Sequence, residues 1–380
     1  MLKRALLNAG TAIASFGAAL ALAEAALRLV APEERYTVLV PGSEWTVAES
    51  RDIRGVRGVS RYRVNAEGIR GRLSGPDSAE YRLLAVGGST TQSANLDDDE
   101  AWTHLLETRL GRTTDGRVTW VGNVGASGLR AAHHVVQLDY LLRQPPRVQG
   151  IIMLLGVNDL AAALAQGWHY RPADDSTPEA KGRVLFKAFA RAPAVSTEPR
   201  FKRTALWRLA RRARQNWTAQ RFIGHSSEGV RRARAHRAAS PTVDSLPPLD
   251  QPLADYRHNL GAIADRAAAV GVRIVFVTHP YLWRSDISAE DGGLLWFGWI
   301  GDNWTTATAY YTPGALARGM ETYNLEMLSF CKERRLECVD AASTLNAEPD
   351  ILYDDVHFTE RGSARLAEVL ATWLTARAPY

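Results

Sequence analysis

Four short polar motifs contain the residue types that acyl-transfer chemistry needs, and the first of them centres on a serine. Ser89 follows two glycines in residues 87–91 (Gly-Gly-Ser-Thr-Thr), and Asp354 and His357 stand three positions apart near the C-terminus. A serine hydroxyl becomes a nucleophile when a base removes its proton, and that base needs an acceptor that orients it. Ser89, His357 and Asp354 are therefore a candidate nucleophile, base and acid. Asp355 is the second candidate for the acid, and Asp354 is the preferred one.

Two further motifs offer donors for the oxyanion that forms when a serine attacks a carbonyl group. Residues 123–128 (Asn-Val-Gly-Ala-Ser-Gly) end at Gly128, and Asn158 lies in a Gly-Val-Asn-Asp stretch. Backbone N–H groups and amide side chains aimed at the developing oxyanion stabilise the transition state. We expect the N–H groups of Ser89 and Gly128 and the side chain of Asn158 to supply these donors.

Each motif lies at the end of a predicted strand or the start of a predicted helix. Short apolar runs predict strands at 83–86, 118–121, 150–155, 272–278 and 336–339. Apolar residues at helical spacing predict helices at 97–110, 131–142, 253–270, 320–332 and 361–376. Strands separated by helices of this length indicate a three-layer α/β/α fold with a central, mostly parallel sheet. Ligands bind at the carboxyl ends of such strands, where the polar motifs cluster.

Composition sets the class of protein around these motifs. Hydrophobic residues make up 46% of the 380 residues and charged residues 23%, which excludes a disordered or collagen-like chain. The two cysteines, Cys331 and Cys338, form no Cys-x-x-Cys pair, so a cysteine zinc site is excluded. A disulfide between them and two free thiols are both compatible with the sequence. Adjacent His133 and His134 point about 100° apart on a helix, and we predict no metal site.

The combination of motifs resembles the SGNH hydrolases, also called GDSL-type esterases. The family's four blocks match at Ser89, at Gly128, at Asn158 and at the Asp354–His357 pair. Gly125 is the second candidate for the glycine block. Gly88 replaces the aspartate of Gly-Asp-Ser, as in a bacterial branch that carries Gly-Gly-Ser-Thr-Thr.

Residues 62–71 also resemble a lead-in of membrane-anchored members of that branch. The resemblance covers roughly residues 60–160 and 250–376, and it implies a flavodoxin-like SGNH fold without a cofactor.

The resemblance also implies a reaction. Ser89 attacks an ester carbonyl, His357 acts as base and then acid, and Asp354 orients His357. We expect an esterase that acts on an acyl ester such as an O-acetylated glycan or another envelope component. The same residues serve an O-acyltransferase on a polysaccharide, in which a sugar hydroxyl replaces water. A non-catalytic binding module is the remote alternative, and its mark would be loss of Ser, Asn or His.

The N-terminus predicts a segment that enters a membrane. Lys3 and Arg4 precede Ala5–Ala23, a run without a charged residue that is long enough to span a bilayer core as a helix. It is either an uncleaved signal-anchor with its cationic end in the cytoplasm, or a cleaved signal peptide with Ala21-Leu22-Ala23 as the site. Helical spacing continues to Pro32, which favours the anchor. Both place the chain beyond about residue 35 on the periplasmic or extracellular side.

We therefore expect three parts. They are a signal-anchor at 1–31, a juxtamembrane lead-in at 32–80 and a hydrolase domain at 81–380 with an insertion at about 165–250.

The insertion carries the chain's charge asymmetry. Residues 181–240 hold 16 Lys/Arg against two acidic residues, although the net charge of the whole chain is only +5. An arginine-rich helix around Trp207 and Leu209 suits an anionic lipid surface or an acidic polysaccharide. The alternative is a solvated surface helix followed by a Ser/Pro loop at 239–252. Export excludes nucleic acid as a partner.

Two further features lie near the fourth predicted strand. His279 follows that strand directly, and we interpret it as a loop histidine without a catalytic part. Residues 283–311 then hold many aromatic side chains with glycines between them. This aromatic segment is either a lid or acceptor wall beside the site or a satellite hydrophobic cluster.

Overall fold

A computed structural model describes residues 2–30, 35–47, 53–172, 177–193, 199–219, 227–346 and 348–380. Within these ranges the strands are β1 (Glu44–Val47), β2 (Ser60–Arg63), β3 (Glu80–Gly87), β4 (Val118–Asn123), β5 (Gly150–Leu154), β6 (Thr242–Val243), β7 (Arg273–Val277), β8 (Trp299–Ile300), β9 (Ala309–Tyr311) and β10 (Glu337–Val339).

The α-helices of the described ranges are α1 (Leu2–Val30), α2 (Ser89–Gln92), α3 (Trp102–Leu110), α4 (Ala131–Leu141), α5 (Val157–Gln166), α6 (Pro178–Ala188), α7 (Ala205–Ala219), α8 (Ser227–Ala239), α9 (Asp250–Ala269), α10 (Ala289–Gly292), α11 (Pro313–Arg334), α12 (Ala341–Leu345) and α13 (Glu360–Thr375). Short 3₁₀ turns lie at Asp77–Ala79, Gly167–His169 and Arg200–Arg203.

Five strands form the central sheet in the order β10-β7-β5-β3-β4, and every neighbouring pair is parallel. All eight residues of β3 are buried. A parallel strand is buried on both faces because crossover helices cover them, so residues 83–86 are continuously apolar rather than alternating. Glu80 and Arg82, which precede them in β3, form a buried ion pair. The prediction of a central parallel sheet is confirmed.

Side chains at alternate positions along the strands pack into two separate cores. Leu84 and Val86 face the first core with α4, α9 and α11, whereas Leu83 and Ala85 face the second with α3 and α13. Side chains alternate across a strand, so the two cores lie on opposite faces of the sheet. The molecule is therefore a three-layer α/β/α fold, as predicted.

The predicted helices are present with shifted ends. Helix α3 begins at Trp102 rather than at Asp97, because the acidic side chains of Asp97 and Asp98 bind the backbone N–H groups of Arg61 and Arg63 instead of starting a helix. Both arginines belong to β2, which pairs antiparallel with β1 in the lead-in.

Two smaller features complete the fold. Cys331 at the end of α11 and Cys338 in β10 form a disulfide, which settles the alternative left open by the sequence. Within the stretch expected as a Ser/Pro loop, β6 pairs in parallel with β9, and β9 pairs with β8. The insertion and the aromatic segment thus share a second, three-stranded sheet.

The N-terminal helix α1 is the one described helix that is long and apolar enough to cross a membrane, over Asn8–Leu29. Length and composition fit a membrane anchor and a signal sequence equally. The predicted break at Pro32 lies outside the described residues.

Candidate active site

The serine motif lies at the carboxyl end of β3, an inner strand of the five-stranded sheet. Ser89 is the first residue of α2, directly after Gly88. A Cβ atom on Gly88 would collide with the side-chain nitrogen of Asn158, and one on Gly87 would lie 2.8 Å from the carbonyl oxygen of Leu154. Neither glycine has a positive φ. The two glycines are therefore explained by close approach of neighbouring groups.

Three of the predicted site residues form one hydrogen-bonded chain. The Ser89 hydroxyl lies 2.8 Å from Nε2 of His357, and Nδ1 of His357 lies 2.9 Å from both carboxylate oxygens of Asp354. With the Nδ1 proton bound by the carboxylate, Nε2 is left to accept the Ser89 proton. Both Asp354 and His357 are buried.

Asp354 accepts hydrogen bonds from three donors besides the His357 imidazole. Its Oδ1 accepts the backbone N–H groups of Val356 and His357 at 3.0 and 2.9 Å, and its Oδ2 accepts the indole N–H of Trp296 at 3.0 Å. Burial alone would raise the pKa of Asp354, but His357 and these donors lower it to about 2. The carboxylate therefore stays ionised beside the imidazole.

The same pairing raises the pKa of His357. Burial favours the neutral imidazole, but the charge and hydrogen bond of Asp354 outweigh burial, so the pKa of His357 lies above its usual value of 6.5. An oriented, more basic imidazole is suited to removing a hydroxyl proton.

Asp355, the second candidate for the acid, faces the aromatic segment. It accepts the indole N–H of Trp283 at 2.7 Å and the backbone N–H groups of Trp296 and Phe297 at 2.8 and 3.2 Å. Burial and the Asp354 charge raise its pKa, against the nearby Arg237 guanidinium. Asp354 therefore binds His357, whereas Asp355 binds the aromatic segment.

Besides Ser89, the oxyanion candidates follow the two strands next to β3: Gly128 lies in the loop after β4, and Asn158 lies in the helix after β5. The side-chain N–H of Asn158, in the first turn of α5, donates to the carbonyl of Leu129 at 2.9 Å. Gly128 adopts φ +71°, which favours glycine, and a Cβ there would meet nothing within 4 Å. A Cβ on Gly125 would collide with the backbone of Gln92. Gly125 is therefore packed against α2, whereas Gly128 borders open space.

His279 contacts α2, the helix that begins at Ser89. Its Nε2 lies 3.0 Å from the hydroxyl of Thr90, and its backbone N–H and carbonyl bind the amide of Asn324. Burial lowers the pKa of His279 to about 4, so it is neutral at physiological pH. The residue expected in a loop is fully buried and supports the neighbour of Ser89.

His133 and His134 lie at the start of α4, away from the triad. His133 accepts the backbone N–H of Arg130 at 3.0 Å, and His134 bonds to Gln137 at 2.7 Å. Burial lowers their pKa values to about 3 and about 4. Both act as neutral, hydrogen-bonded core histidines.

Two residues that hold the site in place, Trp296 and Arg70, are not marked by any local sequence motif of the site. Trp296 reaches Asp354 across 58 positions of the chain. Arg70 of the lead-in is buried, lies over the Tyr62 ring at 4.4 Å, and donates to four carbonyl groups that follow Ser89. These carbonyls belong to Gln92, Ser93, Leu96 and Asp97 at 2.7–3.0 Å. Arg70 therefore fixes the end of α2. In the sequence, only its position in the lead-in motif suggested a role for it.

Comparison with known proteins gives a match to one family. The family model described as GDSL-like Lipase/Acylhydrolase family matches residues 85–365, which include every candidate site residue. A search of curated protein sequences found no match.

Several solved structures are similar to the chain at low identity. A putative lipolytic protein of the G-D-S-L family from Desulfitobacterium hafniense DCB-2 is 11% identical, with 77% of this chain and 99% of that chain covered and a TM-score of 0.39. A catalytic mutant of an acetylxylan esterase from Geobacillus stearothermophilus is 12% identical, with 77% and 93% covered and a TM-score of 0.40.

Proposed function

Because the chain belongs to the GDSL-like lipase/acylhydrolase family and is an ester-bond hydrolase, we propose that it cleaves an acyl ester through a covalent intermediate on Ser89. The observation that carries this proposal is the continuous hydrogen-bonded chain from Ser89 through His357 to Asp354.

The reaction follows from that chain in two halves. Ser89 Oγ bonds to the carbonyl carbon as its proton passes to Nε2 of His357, and the resulting imidazolium is stabilised by the ionised Asp354. His357 then gives this proton to the leaving alcohol oxygen as the ester C–O bond breaks. Water attacks the acyl-enzyme with His357 as base again, which releases the acid and restores Ser89.

The N–H groups of Ser89 and Gly128 and the amide of Asn158 are the proposed oxyanion donors. Ser89 begins a helix, so its N–H has no partner within that helix. An amide side chain has two N–H donors, and the bond to Leu129 uses one from Asn158. The open space beside Gly128 is where the substrate oxygen is expected.

The substrate class that we propose is an acylated glycan or another O-acetylated envelope component. Trp296 and Trp299 stack with ring centroids 5.9 Å apart, at an interplanar angle of 18°. Trp296 is also bonded to Asp354, so this aromatic pair lies beside the proposed acid. Flat aromatic faces suit sugar rings in binding sites.

The proposed location is membrane-anchored, with the hydrolase domain outside the cytoplasm. In this arrangement α1 spans the bilayer within residues 1–31, the lead-in at 32–80 follows, and residues 81–380 form the hydrolase domain. Lys3 and Arg4 before the apolar run support a cytoplasmic N-terminus. The Cys331–Cys338 disulfide supports an oxidising compartment.

The test is turnover of p-nitrophenyl acetate by the full chain in detergent, with labelling by a serine-reactive fluorophosphonate. Ser89→Ala is expected to lower kcat on the order of 10⁶-fold and to abolish labelling. Ser127→Ala removes an exposed hydroxyl on the Gly128 loop and serves as the matched control. Full activity of folded Ser89→Ala would overturn the triad assignment.

A second measurement addresses the substrate class. Release of acetate from an O-acetylated glycan is compared for the wild type and Trp299→Ala. A rise in KM for the glycan, with unchanged turnover of p-nitrophenyl acetate, is expected. Equal effects on both substrates would argue against an aromatic sugar contact.

A further inference from the structure

The N-terminal helix α1 is joined to the start of α7 by one carboxylate. Oε1 of Glu24 accepts the backbone N–H of Ala205 at 2.8 Å, and Oε2 accepts that of Leu206 at 3.0 Å. A carboxylate at a helix N-terminus satisfies free N–H groups and interacts favourably with the helix dipole. Arg28, one turn along α1, holds the same carboxylate at 2.7 Å. The start of α7 is thus fixed to one point on α1.

That point lies at the edge of the apolar run. Glu24 is the first charged residue after Ala5–Ala23, and the candidate membrane span ends at Leu29. Charged side chains near the end of a membrane helix lie at the bilayer boundary, where they reach water or polar partners. With α1 inserted, the first turn of α7 therefore lies at the level of the lipid headgroups.

The segment attached there has the composition of an interfacial helix. Residues 199–219 contain seven Lys/Arg and no acidic residue. Three large apolar side chains of this segment are nevertheless exposed: Phe201 by 56%, Trp207 by 41% and Leu209 by 51%. Phe201 and Trp207 contact each other edge to face, with ring centroids 5.3 Å apart. Basic helices with exposed aromatic and leucine side chains lie in the plane of anionic membrane surfaces.

We propose that residues 199–219, the basic segment, are a second membrane contact. This inference rests on the proposed anchoring through α1. The basic segment lies flat on the anionic leaflet at the C-terminal end of α1, with Phe201, Trp207 and Leu209 at the headgroup boundary. Lys202 and Arg203 at its start face lipid phosphates. An acidic polysaccharide would match the charges but not the exposed apolar side chains or the attachment to the end of α1.

The test measures the membrane depth of a probe on α7 in the full chain. Both native cysteines are in the disulfide, so an introduced cysteine is the single free thiol. Leu209→Cys is labelled with the fluorophore NBD, and the protein is reconstituted in liposomes of phosphatidylcholine with 30 mol% phosphatidylglycerol. Leu325→Cys, at a site on α11 that is 57% exposed, is the matched control.

The expected result is quenching of the Leu209 probe by lipids with a shallow doxyl group, at least twofold above that of the Leu325 probe. Quenching should fall in pure phosphatidylcholine and in high salt, which screens surface charge. Lys202→Gln combined with Arg203→Gln should weaken it while leaving turnover of p-nitrophenyl acetate unchanged.

Four results would contradict the inference. Equal access of a water-soluble quencher to both probes would show that α7 faces solvent. A Leu209 probe that responds to added alginate but not to doxyl lipid would identify a polysaccharide surface instead. Failure of the protein to float with liposomes would remove the anchor on which the inference rests. Flotation without quenching would refute the second contact alone.

Discussion

The indole N–H of Trp296 donates to Oδ2 of Asp354 at 3.0 Å, on the carboxylate that also holds His357. The aromatic segment that contains Trp296 was expected to be either a wall of the site or a separate hydrophobic cluster. Much of it belongs to the main core rather than to a separate cluster, and the wall stays a prediction. Trp283, Phe297 and Tyr311 belong to the main core, whereas Trp296 bonds directly to the proposed acid.

Trp296→Phe is expected to lower kcat about tenfold, because it removes one donor that fixes Asp354 while keeping an aromatic ring. A hydrogen bond to a charged group contributes about 1.5–3 kcal/mol, and tenfold in rate corresponds to about 1.4 kcal/mol. The measurement is kcat for p-nitrophenyl acetate. Trp299→Phe is the control, since the Trp299 indole N–H has no hydrogen-bond partner among the described residues. Equal losses in both variants would assign the effect to the rings.

Asp354→Asn and Asp355→Asn should separate the two adjacent carboxylates. Asp354→Asn is expected to lower kcat about 10⁴-fold, whereas Asp355→Asn should stay within about tenfold of the wild type. A matching loss in Asp355→Asn, with the fold intact by circular dichroism, would contradict the assignment of Asp354 as the acid.

The pH profile gives a second readout of this pair. His357 must be neutral to act as a base, and Asp354 raises its pKa above 6.5. Activity in the wild type should therefore fall as the pH drops below that raised pKa. In Asp354→Asn only burial acts strongly on the imidazole, so the acid limb of kcat/KM should move to lower pH. An unmoved limb would show that another group titrates.

Gly88→Ala is expected to lower kcat by about 10²–10³, the effect of losing one oxyanion donor. The new Cβ would collide with the side-chain nitrogen of Asn158, which must move away. The double variant with Asn158→Ala tests this cause, because a displaced amide cannot be lost twice. Its kcat should match that of Asn158→Ala. Additive losses would show that Gly88 matters for another reason.

Asp159 is expected to make stability pH-dependent. It is half-buried and accepts the N–H of Ala131, and desolvation raises its pKa from 3.8 to about 7. Between these values the folded state holds a proton that the unfolded chain has lost, so stability falls as pH rises from about 4 to 7. Asp159→Asn removes this term. Its Tm relative to the wild type should rise between pH 5 and pH 8, and a constant difference would contradict the raised pKa.

The sequence predicted the parts of this protein that are determined locally. Strand ends next to Gly-Gly-Ser and Asp-x-x-His are short-range patterns, and the central sheet follows from the alternation of apolar runs and helices. The hydrogen-bonded chain of Ser89, His357 and Asp354 lies where those patterns converge.

The remainder depends on contacts between distant segments. Trp296 and Arg70 act on residues that folding brings beside them, and no local pattern marks an indole or a guanidinium for that purpose. The predicted start of α3 was wrong for a related reason, because Asp97 and Asp98 bind backbone N–H groups of the lead-in. His279 lies in the loop after β7, as expected, but its burial against Thr90 depends on a segment far away in the sequence.

The adjacent carboxylates of Asp354 and Asp355 connect the proposed base to the aromatic segment through one dipeptide. One side chain binds His357, and the other accepts backbone N–H groups of the aromatic segment. Segment grafting is a common route to new substrate preference, but here the donor segment and the acid are not separable modules. An engineered chimaera that replaces residues 283–311 would need to carry an indole at position 296 and two N–H groups beside it, or it would change the rate along with the substrate.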